Sequence, residues 1–483
     1  MIGEIATKMG RKFTASGVAA PPHPHGVRPL GQQMLNDEPN PRDAPHALGV
    51  LRALPDEVLL GILGCCDGAT LARCAAASRV LRTFCLAEPL WRALYLDELP
   101  DGAQLVFDRS WRRSYLRFAA GAAAPAELAR GATSALFSDA LFVPWFCGAA
   151  SLPPRWFGGA DSIERVDGAS LSVAEFERRF EAPGVPVILT GLVDRWPAAK
   201  LWSEASLRAR FGAQCFHVGG HECRLDGFFD YCASTADEQP LYLFDKEFAE
   251  KAPPLAAEYE VPPFFAPERD LFDAMPAGAR PDHRWLIIGG TRSGSLWHVD
   301  PNATSAWNGL VSGSKRWMLS PPRGGPPPGV LPSDDMATVS QSVSLYEWFR
   351  AFHGAFAERR RTAPPAARPV EATVRAGELI FVPRGWWHAA LNLEPATVAI
   401  TQNYAPPSAA RTVLDYLRRP DLVSGVPADV RPAMHAHFAE VLRRRCPEAL
   451  ADDRGGDADA DEPRGRAAQR VELGGGAFSF GFA

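Results

Sequence analysis

Leu296-Trp297-His298-Val299-Asp300-Pro301 and, far downstream, Phe381-Val382-Pro383-Arg384-Gly385-Trp386-Trp387-His388 decide the reading of this chain. His298 and Asp300 stand two apart, so on a strand both side chains point to the same side. His388 follows a strand-like run and a tight Pro-Arg-Gly turn. Two histidines and one carboxylate converging in this way read as a facial triad for a non-haem iron. Such a set leaves about three coordination positions for a co-substrate and dioxygen. The chemistry it carries is oxidative attack on a C–H bond by Fe(II) with a bound keto acid. A His-x-Asp pair alone has a plainer explanation, a packed or hydrogen-bonded strand histidine. The flanking sequence decides between the two.

Residues 284–290 (RWLIIGG) are strand-like before the pair, and residues 305–311 and 315–319 are strand-like after it. Residues 377–383 read as a turn and a buried strand, and residues 398–401 close the series. Short strands punctuated by Gly and Pro predict a closed or sandwiched β architecture, not βαβ units. In that geometry two ligands lie near one barrel mouth and the third across it.

The 483 residues allow two or three domains. A hydrophobic fraction of 46% is ample for folded cores. The net charge of −5 is mild and mixed in sign, which gives no footprint for an obligate nucleic-acid partner. No apolar run reaches about 18 residues, so no membrane span is expected. Glu4, Lys8, Arg11 and Lys12 break up any signal-peptide core. Nine cysteines without a Cys-x-x-Cys pair read as reduced intracellular thiols, which points to the nucleus or cytoplasm. Cys215, His217, His221 and Cys223 form a Cys-x-His…His-x-Cys pattern that suggests a hairpin. The pattern is open to a zinc site, but the usual zinc spacing is missing and a structural role is the simpler reading.

Residues 1–48 are rich in Ala, Gly, Pro and His and lack periodicity, so disorder is expected there. A helical domain follows over 49–118. Residues 54–63 open a short amphipathic helix with proline near its start, residues 70–81 read as a second helix, and Phe84, Leu86, Leu90, Trp91, Leu94 and Tyr95 mark a third. Residues 119–160 are a junction expected to pack on the next domain. An α+β domain spans 161–420, with a strong strand at 185–190 and a Pro-rich insertion at 322–367 that holds a helix over 345–358. Helical stretches follow at 409–418 and 428–445, so that 421–448 forms a C-terminal helix. The acidic, then Gly-rich tail 449–483 is expected to be disordered. There are no internal repeats.

The helical trio resembles an F-box. The resemblance rests on Leu54-Pro55-Asp56-Glu57, Ala77-Ser78-Arg79 and Leu90-Trp91-Arg92, in that order. It implies docking onto a Skp-type adaptor and a cullin ubiquitin ligase. Three helices this short bury little by themselves. Leu54, Pro55, Val58, Leu59, Ile62 and Leu63 are the candidate apolar stripe for that partner. The plainer reading is a helical subdomain packed only on the rest of the chain.

The second domain resembles a JmjC domain, the cupin-like double-stranded β-helix of Fe(II)/2-oxoglutarate oxygenases. The strings that carry this are VPVILTGLVDRWPA from Val185, PLYLFD from Pro240, VPPFFAPERDLFDAM from Val261, SGSLWHVDPNATSAWNGLVSGSKRW from Ser293 and FVPRGWWHAALNLEPATVAITQNYA from Phe381. They look most like the branch containing the Jumonji-type lysyl hydroxylase, the phosphatidylserine-receptor-like branch. The fold class expected overall is therefore α+β, a small helical F-box followed by a cupin-like double-stranded β-helix with flanking helices.

By this resemblance His298, Asp300 and His388 are the iron ligands and Lys315 pairs with the distal carboxylate of 2-oxoglutarate. Asn308, Thr401, Ser295 and Tyr242 are further co-substrate contacts, with Ser295 standing where the family has threonine. Lys315 also stands out unaided, because lysines are scarce in this chain and a lysine inside a strand-like run needs an anion if it is buried. Otherwise it faces solvent. Asn392 and Asn403 are either groups that orient dioxygen or substrate or plain buried amides. Trp386 and Trp387 read as core and pocket wall. The chain departs from the family pattern in an extra residue near Glu394-Pro395-Ala396, which bears on Thr401, and in Asn302 after the iron motif. The resemblance implies a 2-oxoglutarate oxygenase acting on protein side chains, with lysyl hydroxylation favoured and N-methyl demethylation of histones or other proteins sharing the same signature. A catalytically silent F-box adaptor that recruits through its JmjC fold is the alternative. RNA modification is the weakest reading, for want of a basic surface.

Overall fold

A computed structural model of the chain describes residues 20–120, 136–159 and 161–451. The strands are β1 (Glu164–Asp167), β2 (Val187–Thr190), β3 (Cys215–Val218), β4 (His221–Arg224), β5 (Leu243–Asp245), β6 (Arg284–Gly289), β7 (Gly294–His298), β8 (Ser305–Ser312) and β9 (Ser314–Ser320). They continue through the short pair β10 (Leu331–Pro332) and β11 (Val339–Ser340) to β12 (Val370–Arg375), β13 (Leu379–Val382), β14 (Trp387–Asn392) and β15 (Thr397–Tyr404). A large sheet runs in the order β1-β2-β13-β8-β15-β6-β5-β3-β4, and a small one in the order β12-β9-β14-β7.

The two sheets enclose a layer of Ile188, Leu310, Trp317, Leu319, Val374 and Ala399, among others. Strand periodicity sorts each strand into an inner and an outer set. On β14, His388 and Ala390 reach the interior while Trp387, Ala389 and Leu391 face outward into a second apolar layer. On β9, Lys315, Trp317 and Leu319 point inward, and Met318 points outward. The 322–367 insertion covers that outer face. Its helices Leu345–Ala351 and His353–Thr362 pack Leu345, Tyr346, Trp348, Phe349 and Phe356 against Trp297, Met318 and Trp387. Cys147, Ala150 and Trp156 from the junction join the same layer, so the described part of the junction is packed. A buried charge group ties insertion to sheet: Glu371 accepts ion pairs from Arg316, His353 and Arg360 at 3.1 Å each. The C-terminal helices Ala410–Tyr416 and Met434–Arg445 pack Val413, Leu414, Phe438 and Leu442 on Leu271, Phe272 and Met275, which closes one end of the barrel.

Several expectations require correction. Residues 20–48 are ordered: they form helices Leu30–Asn36 and Pro45–Leu48, bury Val27, Ala47 and Leu48, and bridge Arg28 to Phe137. Their apolar residues are few but join the buried cluster of the helical domain. Residues 1–19, 121–135 and the tail from 452 lie outside the described residues. The helix read over 70–81 is two, Gly68–Ala77 and Arg79–Cys85, because Ser78 leaves helical geometry and caps the second one, accepting from Leu81 N at 3.0 Å. Leu59 and Leu63 cannot belong to a partner surface. They face the helical core, with Leu59 0% exposed.

Among the described residues no helix is long and apolar enough to cross a membrane. All nine cysteines are free thiols. Cys215, His217, His221 and Cys223 do form a hairpin, with Phe216 opposite Cys223 and His217 opposite Glu222. Side chains opposite each other share a face, so Cys215 and His217 lie on one face and His221 and Cys223 on the other. That arrangement excludes a zinc site from these four.

Candidate active site

The cavity between the sheets is lined by residues from β5, β6, β7, β8, β9, β14 and β15. β7 ends at His298, and Val299-Asp300 continue in extended form past the last strand pair, Asp300 having φ −59° and ψ 140°. The backbone then turns sharply, with Asn302 and Ala303 both at positive φ. The two-residue spacing thus keeps its effect even though the aspartate lies just beyond the sheet. His388 is not across the barrel. It is the direct register partner of His298 on the neighbouring strand. Gly385, at φ +75°, makes the turn that delivers it.

Asp300 Oδ1 lies 4.0 Å from His298 Nε2 and 3.9 Å from His388 Nε2. One donor atom from each of the three residues falls within 4.8 Å of the others, and among the described residues this is the one such group of His, Cys, Asp or Glu. Each imidazole has its other nitrogen committed: His298 Nδ1 donates to Leu296 O at 2.7 Å and His388 Nδ1 to Trp386 O at 3.0 Å. A carbonyl only accepts, so the proton sits on Nδ1 and the Nε2 lone pairs face the cavity. Burial, then the neighbouring His388, push the His298 imidazole down to about 4, which keeps it neutral and available as a donor. Asp300 Oδ2 is buried with no hydrogen-bond partner. Two neutral nitrogens and an orphaned carboxylate oxygen fit a divalent cation.

Lys315 lies at the other end of the cavity and is 1% exposed. The solvent-facing alternative is thereby excluded. Its Nζ donates to Tyr242 Oη at 3.0 Å, and no carboxylate among the described residues pairs with it. Burial alone pushes the ammonium down to about 7, and burial pushes the Tyr242 hydroxyl up. A buried amine without a counter-ion is the feature an incoming carboxylate would satisfy. Ser295, Asn308 and Thr401 line the same cavity. Asn308 Oδ1 is buried and unpaired, whereas Thr401 Oγ1 donates to Trp307 O at 2.8 Å. Thr401 pairs with Asn308 across β15 and β8, and the ladder shifts register between Val398 and Ala399.

Asn403 and Asn392 take different places. Asn403 lines the cavity and donates to Thr304 Oγ1 at 2.9 Å. Asn392 is a buried amide behind it, donating to Ser293 Oγ at 2.9 Å. Trp386 and Trp387 are core: Trp386 Nε1 donates to Gly184 O at 2.9 Å and Trp387 packs under the insertion.

Among the wall groups that the sequence does not announce are Phe244, Asp282, Trp285, Trp317 and the Ser424-Gly425 turn. Trp317 stacks beside His388 at 6.1 Å between centroids. It was legible, since it stands two after Lys315 on one strand and must share its face. Phe244 stands likewise two after Tyr242. Ser424 carried no local signal. It reaches the site because Asn302 Nδ2 donates to Ser424 O at 3.0 Å and Ser424 N donates to Asn302 Oδ1 at 3.2 Å. The departure at Asn302 thus has a structural use, fastening the C-terminal segment over the cavity mouth. Asp282 sits at that mouth, its Oδ2 accepting from Lys246 Nζ at 3.0 Å.

Comparison with known proteins agrees with this geometry. Residues 173–410 match the model of the cupin-like domain family, and residues 51–97 match the F-box-like family. The chain is 40% identical to the arginine-specific demethylase JMJ22 of Arabidopsis thaliana, over 90% of this chain and 84% of that one. It is 37% identical to the bifunctional arginine demethylase and lysyl-hydroxylase psr-1 of Caenorhabditis elegans, over 62% of this chain and 72% of that one. A third relative, the lysine-specific demethylase JMJ21 of Arabidopsis thaliana, is 35% identical over 74% of this chain and only 37% of its own length.

Proposed function

The chain belongs to the cupin-like JmjC family and carries an F-box-like domain ahead of it, and from that premise we propose that it is an Fe(II)- and 2-oxoglutarate-dependent oxygenase acting on basic side chains of proteins. The observation that carries this reading is the pairing of His298, Asp300 and His388 with a buried, counter-ion-free Lys315 in one cavity.

His298 Nε2, His388 Nε2 and the Asp300 carboxylate would hold the iron. Lys315, with Tyr242, Asn308, Thr401 and Ser295 around it, would hold the far carboxylate of 2-oxoglutarate. Iron, 2-oxoglutarate and dioxygen together supply the oxidant for an aliphatic C–H bond, the keto acid leaving as succinate and carbon dioxide. The part played by this chain is placement and exclusion of water. The Nδ1 hydrogen bonds to Leu296 O and Trp386 O fix both imidazoles in the donor tautomer. Trp317 and Trp285 wall the cavity. Asp282 offers a carboxylate at the mouth that an ammonium or guanidinium can take over from Lys246, since that pair is partly exposed.

A basic side chain is also what the activities named for JMJ22 and psr-1 have in common. Oxygen placed on a lysine carbon leaves a hydroxylysine. Oxygen placed on an N-methyl group releases formaldehyde. We favour lysyl hydroxylation as the main reaction, with demethylation open to the same residues.

The F-box-like domain supports a second role in the same chain, assembly with a Skp-type adaptor and a cullin ubiquitin ligase in the nucleus or cytoplasm. Val58 and Ile62, each 46% exposed, and exposed Pro55 share one side of helix Asp56–Gly64, with Leu54 half-buried at its edge. Turnover of 2-oxoglutarate to succinate in the presence of lysine-rich and N-methylarginine-rich peptides tests the catalytic reading. Succinate with hydroxylysine supports it. Formaldehyde in proportion to succinate moves the reaction to demethylation. Absence of succinate from metal-loaded protein leaves only the adaptor role.

A further inference from the structure

The helical domain and the Lys315 end of the cavity are joined by a set of hydrogen bonds and one step along the backbone. Trp111 Nε1, in helix Trp111–Ala120, donates to Asp237 Oδ1 at 2.7 Å. The other oxygen, Asp237 Oδ2, accepts from Tyr231 Oη at 2.7 Å. Tyr231 Oη in turn accepts from Leu241 N at 2.8 Å. The next residue is Tyr242, whose hydroxyl receives Lys315 Nζ. Arg92, part of the Leu90-Trp91-Arg92 end of the F-box motif, donates from Nη1 to Gln239 O at 2.9 Å, its guanidinium 3.7 Å from Asp237.

Loop 235–241 is held from two further sides. Gly148 packs so closely on it that a methyl group there would lie 2.0 Å from Ala236 O. Ser344, which caps the first insertion helix, donates to Glu238 Oε1 at 3.1 Å. Tyr242 follows this fastened loop directly in the chain.

We infer that Trp111, Asp237 and Arg92 are positioning residues for 2-oxoglutarate: the docked helical domain sets the loop that aims Tyr242, and through it Lys315, at the distal carboxylate. The F-box-bearing domain is then a structural part of the oxygenase site as well as a handle for a partner. This rests on the co-substrate reading of Lys315.

The test is calorimetric binding of 2-oxoglutarate to the full chain loaded with Mn(II), which fills the site without turnover. Trp111→Phe and Asp237→Asn each delete one link while keeping bulk. Each is expected to weaken binding roughly threefold to tenfold, the span of one net hydrogen bond, with Mn(II) affinity unchanged. Partly exposed Arg92→Met serves if either variant fails to fold. Asp67→Ala is the control: it removes the cap that accepts from Thr70 N at 2.7 Å, loosening the same domain without deleting any hydrogen bond of the joint. Its affinity for 2-oxoglutarate is expected to equal that of the wild type even where its melting temperature falls. Wild-type affinity in the joint variants, or an equal loss in Asp67→Ala, overturns the inference. If the wild-type protein itself binds Mn(II) but no 2-oxoglutarate, the co-substrate reading falls and the inference falls with it.

Discussion

His298 and His388 are register partners on adjacent antiparallel strands, their ring centroids 4.1 Å apart. Two donors placed by one rung of a ladder cannot drift apart without breaking the sheet. Only the third, Asp300, depends on the turn beyond the strand. The site is in this sense built before any ligand arrives.

Asp300→Ala and His388→Ala each remove one donor. Groups that merely orient a metal ligand contribute about tenfold to a hundredfold in affinity, so each of these variants is expected to lose at least that much for Mn(II) or Fe(II). Equilibrium dialysis measures it. Retention of wild-type affinity would place the metal elsewhere.

Lys315→Met removes the one lysine or arginine that, among the described residues, lines the cavity. A hydrogen bond to a charged group contributes about 1.5–3 kcal/mol, which is roughly tenfold to a hundredfold in affinity. Binding of 2-oxoglutarate is expected to weaken by that factor while metal content stays constant. An unchanged dissociation constant would show that the keto acid is gripped by other residues.

The same lysine gives a pH signature. Burial lowers it to about 7 in the folded chain, against about 10.4 for an unperturbed lysine. Between those values the unfolded chain binds more protons, so this group's contribution to stability rises with pH across that window and is flat below it. A bound carboxylate reverses the burial effect and draws the proton back. Binding of 2-oxoglutarate at pH 8 is therefore expected to take up protons, and at pH 6 to take up fewer. Titrations in buffers of different ionisation heat report the number directly. Heats independent of buffer at pH 8 would contradict a carboxylate seated on Lys315.

In the helical domain, neighbouring residues should behave oppositely. Leu59→Ala opens a cavity in the core and is expected to cost about 2–5 kcal/mol. Val58→Ala and Ile62→Ala lie on the exposed face and are expected to change stability by less than about 0.5 kcal/mol. Val58→Asp with Ile62→Asp should abolish co-purification of a Skp-type adaptor from a stable protein. An adaptor that still co-purifies would remove the helix Asp56–Gly64 face from the assembly reading.

The residues explain which parts of this were legible beforehand. His298, Asp300 and His388 could be read because period-two spacing and strand-like flanks are local properties. Lys315 could be read because a lone lysine in an apolar strand demands an anion. The side of the barrel that holds the third ligand is not legible because strand order is a long-range property: β7 pairs with β14, far away in sequence. That Leu59 faces the core and not a partner is not legible either, because a short apolar helix does not reveal which of its faces is buried until its neighbours are placed. Ser78 ended a helix that composition alone would have continued, through a side-chain bond to Leu81 N that competes with helical geometry. Asp282 and the Ser424-Gly425 turn left no trace in the sequence, since they meet the site only through tertiary closure.

The most direct test of the central claim follows the atoms of dioxygen. With Fe(II), 2-oxoglutarate and a basic peptide substrate under labelled dioxygen, the wild-type protein is expected to place one labelled oxygen in succinate and to consume one keto acid per peptide oxidised, with both signals lost in Asp300→Ala. Succinate formed equally by wild type and Asp300→Ala, or none formed by protein shown to hold iron, would contradict the oxygenase assignment.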